Sequence, residues 1–140
     1  MSSSNPFVGS WTYRSLLNDP DGKIDFDKLE FGLGTIVIEE APSEILKGTI
    51  GDGSTWQLTL KGSRQYGTPG RARFQGVGVV GGEKWIYDYE CYLVPHWPNG
   101  VDQRAALVGS VIRTIPHSGG EPGTVAPAGV VASFYAVRSD

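Results

Sequence analysis

Short runs of β-branched, aromatic and other apolar residues alternate along the whole chain with clusters of Gly, Pro, Asp and Asn. We find no stretch of ten or more residues with the period of an amphipathic helix, and apolar runs bounded by turn residues are typical of β-strands. The predicted fold class is therefore all-β. Eight strands are predicted, at residues 10–17, 33–40, 45–50, 56–62, 71–80, 84–94, 104–115 and 130–138.

Most of the predicted connections are short enough to be antiparallel hairpins, and Gly81-Gly82 is a two-residue loop of the I′ or II′ type. Eight consecutive strands joined in this way predict an antiparallel up-and-down β-barrel, which also leaves no exposed sheet edge. A two-sheet β-sandwich would use similar strands and is the alternative. We expect residues 1–140 to form a single β-barrel domain, with residues 1–6 as a flexible N-terminus.

Charge and cysteine content exclude several classes of function. A net charge of −3 and a pI near 5.3 argue against nucleic acid or an anionic membrane surface as a partner. The single cysteine, Cys91, excludes an internal disulfide framework and a multi-cysteine zinc site. The N-terminal segment lacks the basic and apolar regions of a secretory signal, so a cytoplasmic location is expected.

The Gly81-Gly82 loop fixes the register of the hairpin around it. Opposite charges and polar groups then pair on one face, as in Arg73 with Glu90, which is typical of a solvated outer surface. The other face sets large rings against glycines, as in aromatic rescue. On that face we predict Gly78 opposite Trp85, Gly76 opposite Tyr87 and Phe74 opposite Tyr89. Trp85, Tyr87, Tyr89 and Cys91 are therefore assigned to the barrel interior.

In an up-and-down barrel, alternate loops share one end. The loops at residues 18–32, 51–55, 81–83 and 116–129 lie together, and the other loops lie with both termini. The two long connections of the first group have lengths usual for binding loops. We therefore place the mouth of the barrel at that end.

The run Phe7-Val8-Gly9-Ser10-Trp11 resembles the opening of calycins, the superfamily of lipocalins, fatty-acid-binding proteins and avidins. The resemblance implies an eight- or ten-stranded cup that holds a small hydrophobic or amphipathic ligand. It also implies that a basic side chain, here Arg138, stacks against Trp11 as a structural feature of the closed end. The strand order independently places Trp11 and Arg138 at the same end of the barrel.

Aromatic residues assigned to the interior are the candidate ligand-binding residues. An eight-stranded barrel is just wide enough either to be filled by side chains or to hold one small ligand. Adjacent interior tyrosines need partners for their hydroxyl groups, which favours a pocket over a filled core. With His117 at the mouth, the predicted ligand-binding set is Trp56, Phe74, Trp85, Tyr87, Tyr89, His117 and Phe134.

Other polar residues have simpler interpretations. His96 and His117 flank the seventh strand and so belong to opposite ends, which argues against a two-histidine metal site. Asp88 and Glu90 share a strand face, as a glycosidase pair would, but face Arg73 and Gln75 across the hairpin. The acidic run Asp19, Asp21 and Asp25 departs from the spacing of a calcium loop. We assign no catalytic residue, no metal and no cofactor.

Three functions are consistent with the sequence. The first is a non-enzymatic barrel that binds a small, partly apolar molecule in an aromatic cavity. The second is a cyclase or isomerase on the same scaffold, with Tyr87, Tyr89 and His117 as candidates for proton chemistry. The third is a filled-core module that forms a homo-oligomer through exposed Trp97 or Tyr66.

Overall fold

A computed structural model of the chain describes residues 5–101 and 103–140. Its elements are β1 (Gly9–Leu17), α1 (Phe26–Leu29), β2 (Glu30–Glu39), β3 (Ile45–Gly51), β4 (Gln57–Gln65), β5 (Arg71–Val80), β6 (Glu83–Val94), β7 (Ala106–Arg113), β8 (His117–Ser118), β9 (Val125–Ala126) and β10 (Val131–Arg138). All strands except β8 and β9 form a closed antiparallel barrel in the order β1-β10-β7-β6-β5-β4-β3-β2. The predicted all-β up-and-down barrel is confirmed, and the alternative sandwich is not formed. Of the predicted flexible segment 1–6, residues 1–4 lie outside the described residues.

Three strands begin or end two or more residues away from the predicted position. Strand β2 begins at Glu30 rather than at residue 33, because Leu16 pairs with Glu30 beyond a register shift after Ser15. Strand β4 continues to Gln65 because Arg64 and Gln65 pair with the start of β5. Strand β7 is shorter than predicted at both ends.

Three short elements were not predicted. The helix α1 is a single turn of four residues between β1 and β2. The strands β8 and β9 pair with each other inside the predicted loop 116–129, and we call them the mouth hairpin. Elements of two to four residues are too short to produce a recognisable period. Within the described part of the chain, no helix has the length and apolar character needed to cross a membrane.

The predicted register of the β5–β6 hairpin is confirmed, with Gly78 opposite Trp85, Gly76 opposite Tyr87 and Phe74 opposite Tyr89. Tyr87, Tyr89 and Cys91 are buried and Trp85 is half-buried. On the opposite face, Arg73 and Glu90 are exposed and their charged groups lie 3.9 Å apart. The ring-bearing face of this hairpin therefore faces the interior.

Apolar side chains fill the closed end of the barrel. Trp11 is fully buried there, and its indole N–H donates a hydrogen bond of 3.0 Å to the carbonyl of Phe7. The guanidinium carbon of Arg138 lies 4.3 Å from the centroid of the Trp11 ring. Arg138 also donates hydrogen bonds to the carbonyls of Val8 (3.0 Å) and Pro6 (2.7 Å). Residues 6–8 are thereby attached to the closed end of the barrel.

A glycine on β7 allows two strands to approach closely. Gly109 pairs with Cys91 of β6 on one side and with Phe134 of β10 on the other. A Cβ atom at Gly109 would overlap the carbonyl oxygen of Glu90 and lie only 2.6 Å from the Cα of Cys91. Glycine at such a position permits the bending that barrel closure requires.

Candidate ligand-binding site

A cavity of about 500 Å³ lies at the end of the barrel predicted to be the mouth. Its size falls within the range of about 300–1,000 Å³ that is typical of small-molecule pockets. Polar groups reach it from Arg113, His117, Asp52 and Glu30. Six aromatic side chains also line it, namely Tyr13, Phe31, Trp56, Trp85, Tyr87 and Tyr89.

Five of the seven predicted ligand-binding residues line this cavity, namely Trp56, Trp85, Tyr87, Tyr89 and His117. Phe74 and Phe134 do not line it and instead pack behind Tyr89. The Phe74 ring stacks on the Tyr89 ring, with centroids 5.0 Å apart and an interplanar angle of 19°. Phe134 meets Tyr89 edge-on at 5.9 Å. Both phenylalanines therefore support the cavity wall from the core.

The mouth hairpin brings His117 over the cavity. Although the chain around it is a surface loop, His117 is only 8% exposed. Its imidazole lies parallel to the Trp85 indole, with ring centroids 4.0 Å apart and an interplanar angle of 13°. The adjacent N–H of Ser118 donates a hydrogen bond of 3.1 Å to the carboxylate of Glu83. Both contacts attach the mouth hairpin to β6.

Tyr87 lies between His117 and Arg113 in a chain of hydrogen bonds. The Nδ1 atom of His117 is 2.9 Å from the carbonyl oxygen of Ser118, which can only accept, so Nδ1 carries the proton. In the tautomer with the proton on Nδ1, the Nε2 atom of His117 accepts a hydrogen bond from the Tyr87 hydroxyl, at 2.6 Å. The Nε–H group of Arg113 donates to the same hydroxyl oxygen at 2.9 Å. The Tyr87 hydroxyl thus donates one hydrogen bond, to His117, and accepts one, from Arg113.

Arg113 is the cation of the cavity. It lies at the end of β7, and its guanidinium carbon is 4.9 Å from the centroid of the Phe31 ring. One Nη1–H group donates to the carbonyl of Pro127 at 3.2 Å. The ion pairs of residues 5–101 and 103–140 are Arg73 with Glu90 and Arg138 with Asp140, so Arg113 has no carboxylate partner within 4.0 Å there.

Burial keeps the tyrosines of the cavity neutral. It raises the pKa of Tyr87, although the hydrogen bond and the charge of Arg113 oppose this shift. Burial also raises the pKa of Tyr13 and raises that of Tyr89 well above the ordinary value. Near neutral pH, all three side chains therefore act as hydrogen-bonding phenols rather than as phenolates.

Arg113, Tyr13 and Phe31 line the cavity but were not among the predicted ligand-binding residues. The two-residue period of β7 does indicate Arg113, because Arg113 shares the inward face of this strand with Leu107 and Val111. The same period on β1 places Tyr13 on the inward face together with Trp11. Phe31 fell in the predicted loop 18–32, where no period was visible.

The remaining candidates lie away from the cavity. His96 is exposed at the closed end and contacts the carbonyl of Gln103 at 2.6 Å. Asp88 accepts hydrogen bonds from Gln75 (2.8 Å) and Thr114 (2.6 Å) on the outer face. Burial raises the pKa of the Cys91 thiol to about 12, so this thiol is protonated and unreactive near neutral pH.

The acidic run in the loop after β1 has a structural role. The side chains of Asp19 and Asp21 each accept a backbone N–H two residues further on, which is the geometry of a local turn. Across the described residues, no group of three or more His, Cys, Asp or Glu side chains is placed to hold a metal ion. Tyr66 and Trp97 are exposed on loops at the closed end, and oligomerisation through them stays a prediction.

Comparison of the chain with models of protein families, with curated proteins and with solved structures finds no match in any of the three. The closed eight-stranded antiparallel barrel is consistent with a calycin-like fold. Membership of the calycins stays a prediction from residues 7–11.

Proposed function

We propose that the protein binds a small, partly apolar molecule in the cavity at the mouth of the barrel. The observation that carries this proposal is the 500 Å³ cavity, because six aromatic side chains line it and a few polar groups converge on it. This combination is typical of small-molecule sites. Burial of apolar ligand surface supplies affinity, at roughly 25 cal/mol per Å². The polar groups around Tyr87 orient the ligand.

The tryptophans provide a direct assay for binding. Trp56 and Trp85 line the cavity, whereas Trp97 is exposed at the opposite end of the barrel. We expect titration with the neutral apolar fluorophore N-phenyl-1-naphthylamine to quench tryptophan emission with saturation. Trp85→Phe reduces the aromatic contact area, so we expect it to weaken binding by roughly fivefold, equivalent to about 1 kcal/mol.

Trp97→Phe is the matched control, because it makes the same change outside the cavity. It is expected to bind the fluorophore as the unmodified protein does. Failure of the unmodified protein to bind this fluorophore and a panel of neutral and charged arenes would contradict the proposal. Equal weakening by both variants would place the binding site elsewhere.

A second candidate function is proton-transfer catalysis, of the kind that a cyclase or isomerase performs. The observation that favours it is the 2.6 Å contact between the Tyr87 hydroxyl and His117 Nε2 at the cavity wall. The phenol supplies a proton and the imidazole receives one, so the pair can exchange protons with a bound substrate. Arg113 stabilises negative charge that develops on the Tyr87 oxygen.

This candidate predicts that Tyr87→Phe retains ligand binding and lowers turnover by roughly a hundredfold to ten-thousandfold. The measurement is mass-spectrometric detection of products after the protein is incubated with a library of small apolar substrates. Tyr92→Phe is the matched control, since Tyr92 lies on the outer face of the same strand. Conversion that persists unchanged in Tyr87→Phe would contradict a catalytic role for this hydroxyl.

A further inference from the structure

We propose that the ligand of the cavity is an aromatic acid whose anionic group binds to Arg113. The inference rests on the proposed function, because it names the chemical class of the molecule that the cavity takes. It follows from the hydrogen-bonding groups that remain unused in the cavity and from the shapes of the walls around them.

Arg113 has more donors than the protein uses. A guanidinium group carries five N–H donors and no acceptor. One donates to the Tyr87 hydroxyl and one to the Pro127 carbonyl. The other three, on Nη1 and Nη2, have no acceptor among the hydrogen bonds of the described residues. The side chain is half-buried at the cavity wall, so a ligand that reaches it meets these donors.

The neighbouring polar groups are already satisfied. The hydroxyl proton of Tyr87 is donated to His117, and both ring nitrogens of His117 have partners. The hydrogen-bonding groups that remain free next to them are therefore the N–H donors of the Arg113 cation. A ligand acceptor in this place forms a charge-assisted hydrogen bond, and a carboxylate matches the planar fork of arginine with two such bonds.

Two carboxylates also border the cavity, but neither neutralises Arg113. The Asp52 carboxylate accepts backbone N–H groups of its own loop, from Ser54 (2.9 Å), Thr55 (2.7 Å) and Trp56 (3.1 Å). Glu30 is exposed, so solvent screens its charge. Arg113 is the only guanidinium among the residues that line the cavity.

The walls favour a flat ligand body. Trp85 and His117 present a stacked pair of rings, and Phe31 meets Tyr87 edge-on, with centroids 6.0 Å apart and an angle of 75°. Aromatic ligands gain from stacked and edge-to-face contacts with such rings. A rigid ring also loses less conformational entropy on binding than a flexible alkyl chain of similar area.

Calorimetric titration with matched ligands tests both parts of the inference. The probes are 2-naphthoate, its neutral analogue 2-naphthamide and the flexible acid decanoate. We expect 2-naphthoate to bind roughly tenfold to a hundredfold more tightly than 2-naphthamide, which is the range for a hydrogen bond to a charged group. We also expect it to bind more tightly than decanoate.

Arg113→Gln should remove most of the preference for the acid over the amide. Arg14→Gln is the matched control, because Arg14 is exposed on the outer face of β1 and should leave the preference unchanged. Equal binding of acid and amide by the unmodified protein would overturn the anion-binding role of Arg113, whether or not the variants fold. Tighter binding of decanoate would overturn the aromatic class.

These outcomes separate the inference from the proposed function. Binding of N-phenyl-1-naphthylamine or of other neutral arenes without any binding of 2-naphthoate would overturn the inference and leave the cavity as a ligand site. Absence of binding by every probe would contradict the proposed function itself.

Discussion

Trp11→Ala is expected to lower the free energy of unfolding by about 3–5 kcal/mol, the usual cost of removing a fully buried tryptophan from a core. The indole fills the closed end of the barrel and donates a hydrogen bond to the Phe7 carbonyl. Its loss leaves a cavity, an unpartnered carbonyl and an Arg138 guanidinium without the ring beneath it. Because small domains are stable by only about 5–15 kcal/mol, this loss is a large part of the total.

Chemical denaturation followed by circular dichroism measures this effect. Trp97→Ala is the control, because Trp97 lies at the same end but is 66% exposed. Its effect should stay within about 0.5 kcal/mol, as for most surface substitutions. A loss below about 1 kcal/mol for Trp11→Ala would show that Trp11 does not stabilise the closed end.

Gly109→Ala is the second substitution with a large expected effect, although it adds only one methyl group. The added Cβ atom would overlap the Glu90 carbonyl and crowd the Cα of Cys91, both of which belong to the backbone of β6. Backbone atoms cannot rotate away, so β6 and β7 must separate and their hydrogen bonds lengthen. We expect a loss at or above the upper end of the range of about 1–3 kcal/mol for overpacking.

Gly22→Ala makes the same chemical change where no atom beyond the adjoining residues lies within 4 Å of the added carbon. It should leave stability unchanged or raise it by about 0.4–1 kcal/mol, because alanine restricts the unfolded chain. Thermal and urea unfolding of both variants provide the comparison. Similar effects at the two positions would contradict the close approach of β6 and β7.

The part of the fold that could be predicted most fully is the β5–β6 hairpin. Its two-residue Gly81-Gly82 loop determines the register, and the register determines which side chains share a face. The inward direction of Tyr87 and Tyr89 followed from this local argument. Barrel closure could be predicted because eight strands of suitable length follow one another with short connections.

The depth of a side chain within the barrel could not be predicted in the same way. A period of two residues assigns a face but does not say how far along the barrel axis a ring lies. Phe74 and Phe134 are on the predicted inner face, yet both pack behind Tyr89 rather than against the cavity. Distance along the axis depends on strand tilt, which the sequence pattern does not encode.

Arg113 and the mouth hairpin were missed for a different reason. The mouth hairpin consists of two-residue strands, so its position over Trp85 depends on long-range contacts made by His117 and Ser118. Arg113 follows the inward alternation of β7, but a charged residue at a strand end is more often solvated. The position of Arg113 in the cavity depends on two hydrogen-bond acceptors, the Tyr87 hydroxyl and the Pro127 carbonyl.

Seven of the eight ladders of the barrel join barrel strands that follow one another along the chain, with only the mouth hairpin between β7 and β10. The eighth is a seam between β1 and β10, which pairs residues more than a hundred positions apart, such as Trp11 with Arg138. The entropic cost of ring closure is concentrated in this seam. Since Tyr13 of β1 contributes to the cavity wall, the binding site is complete only when the seam is formed, and no fragment that lacks either strand contains it.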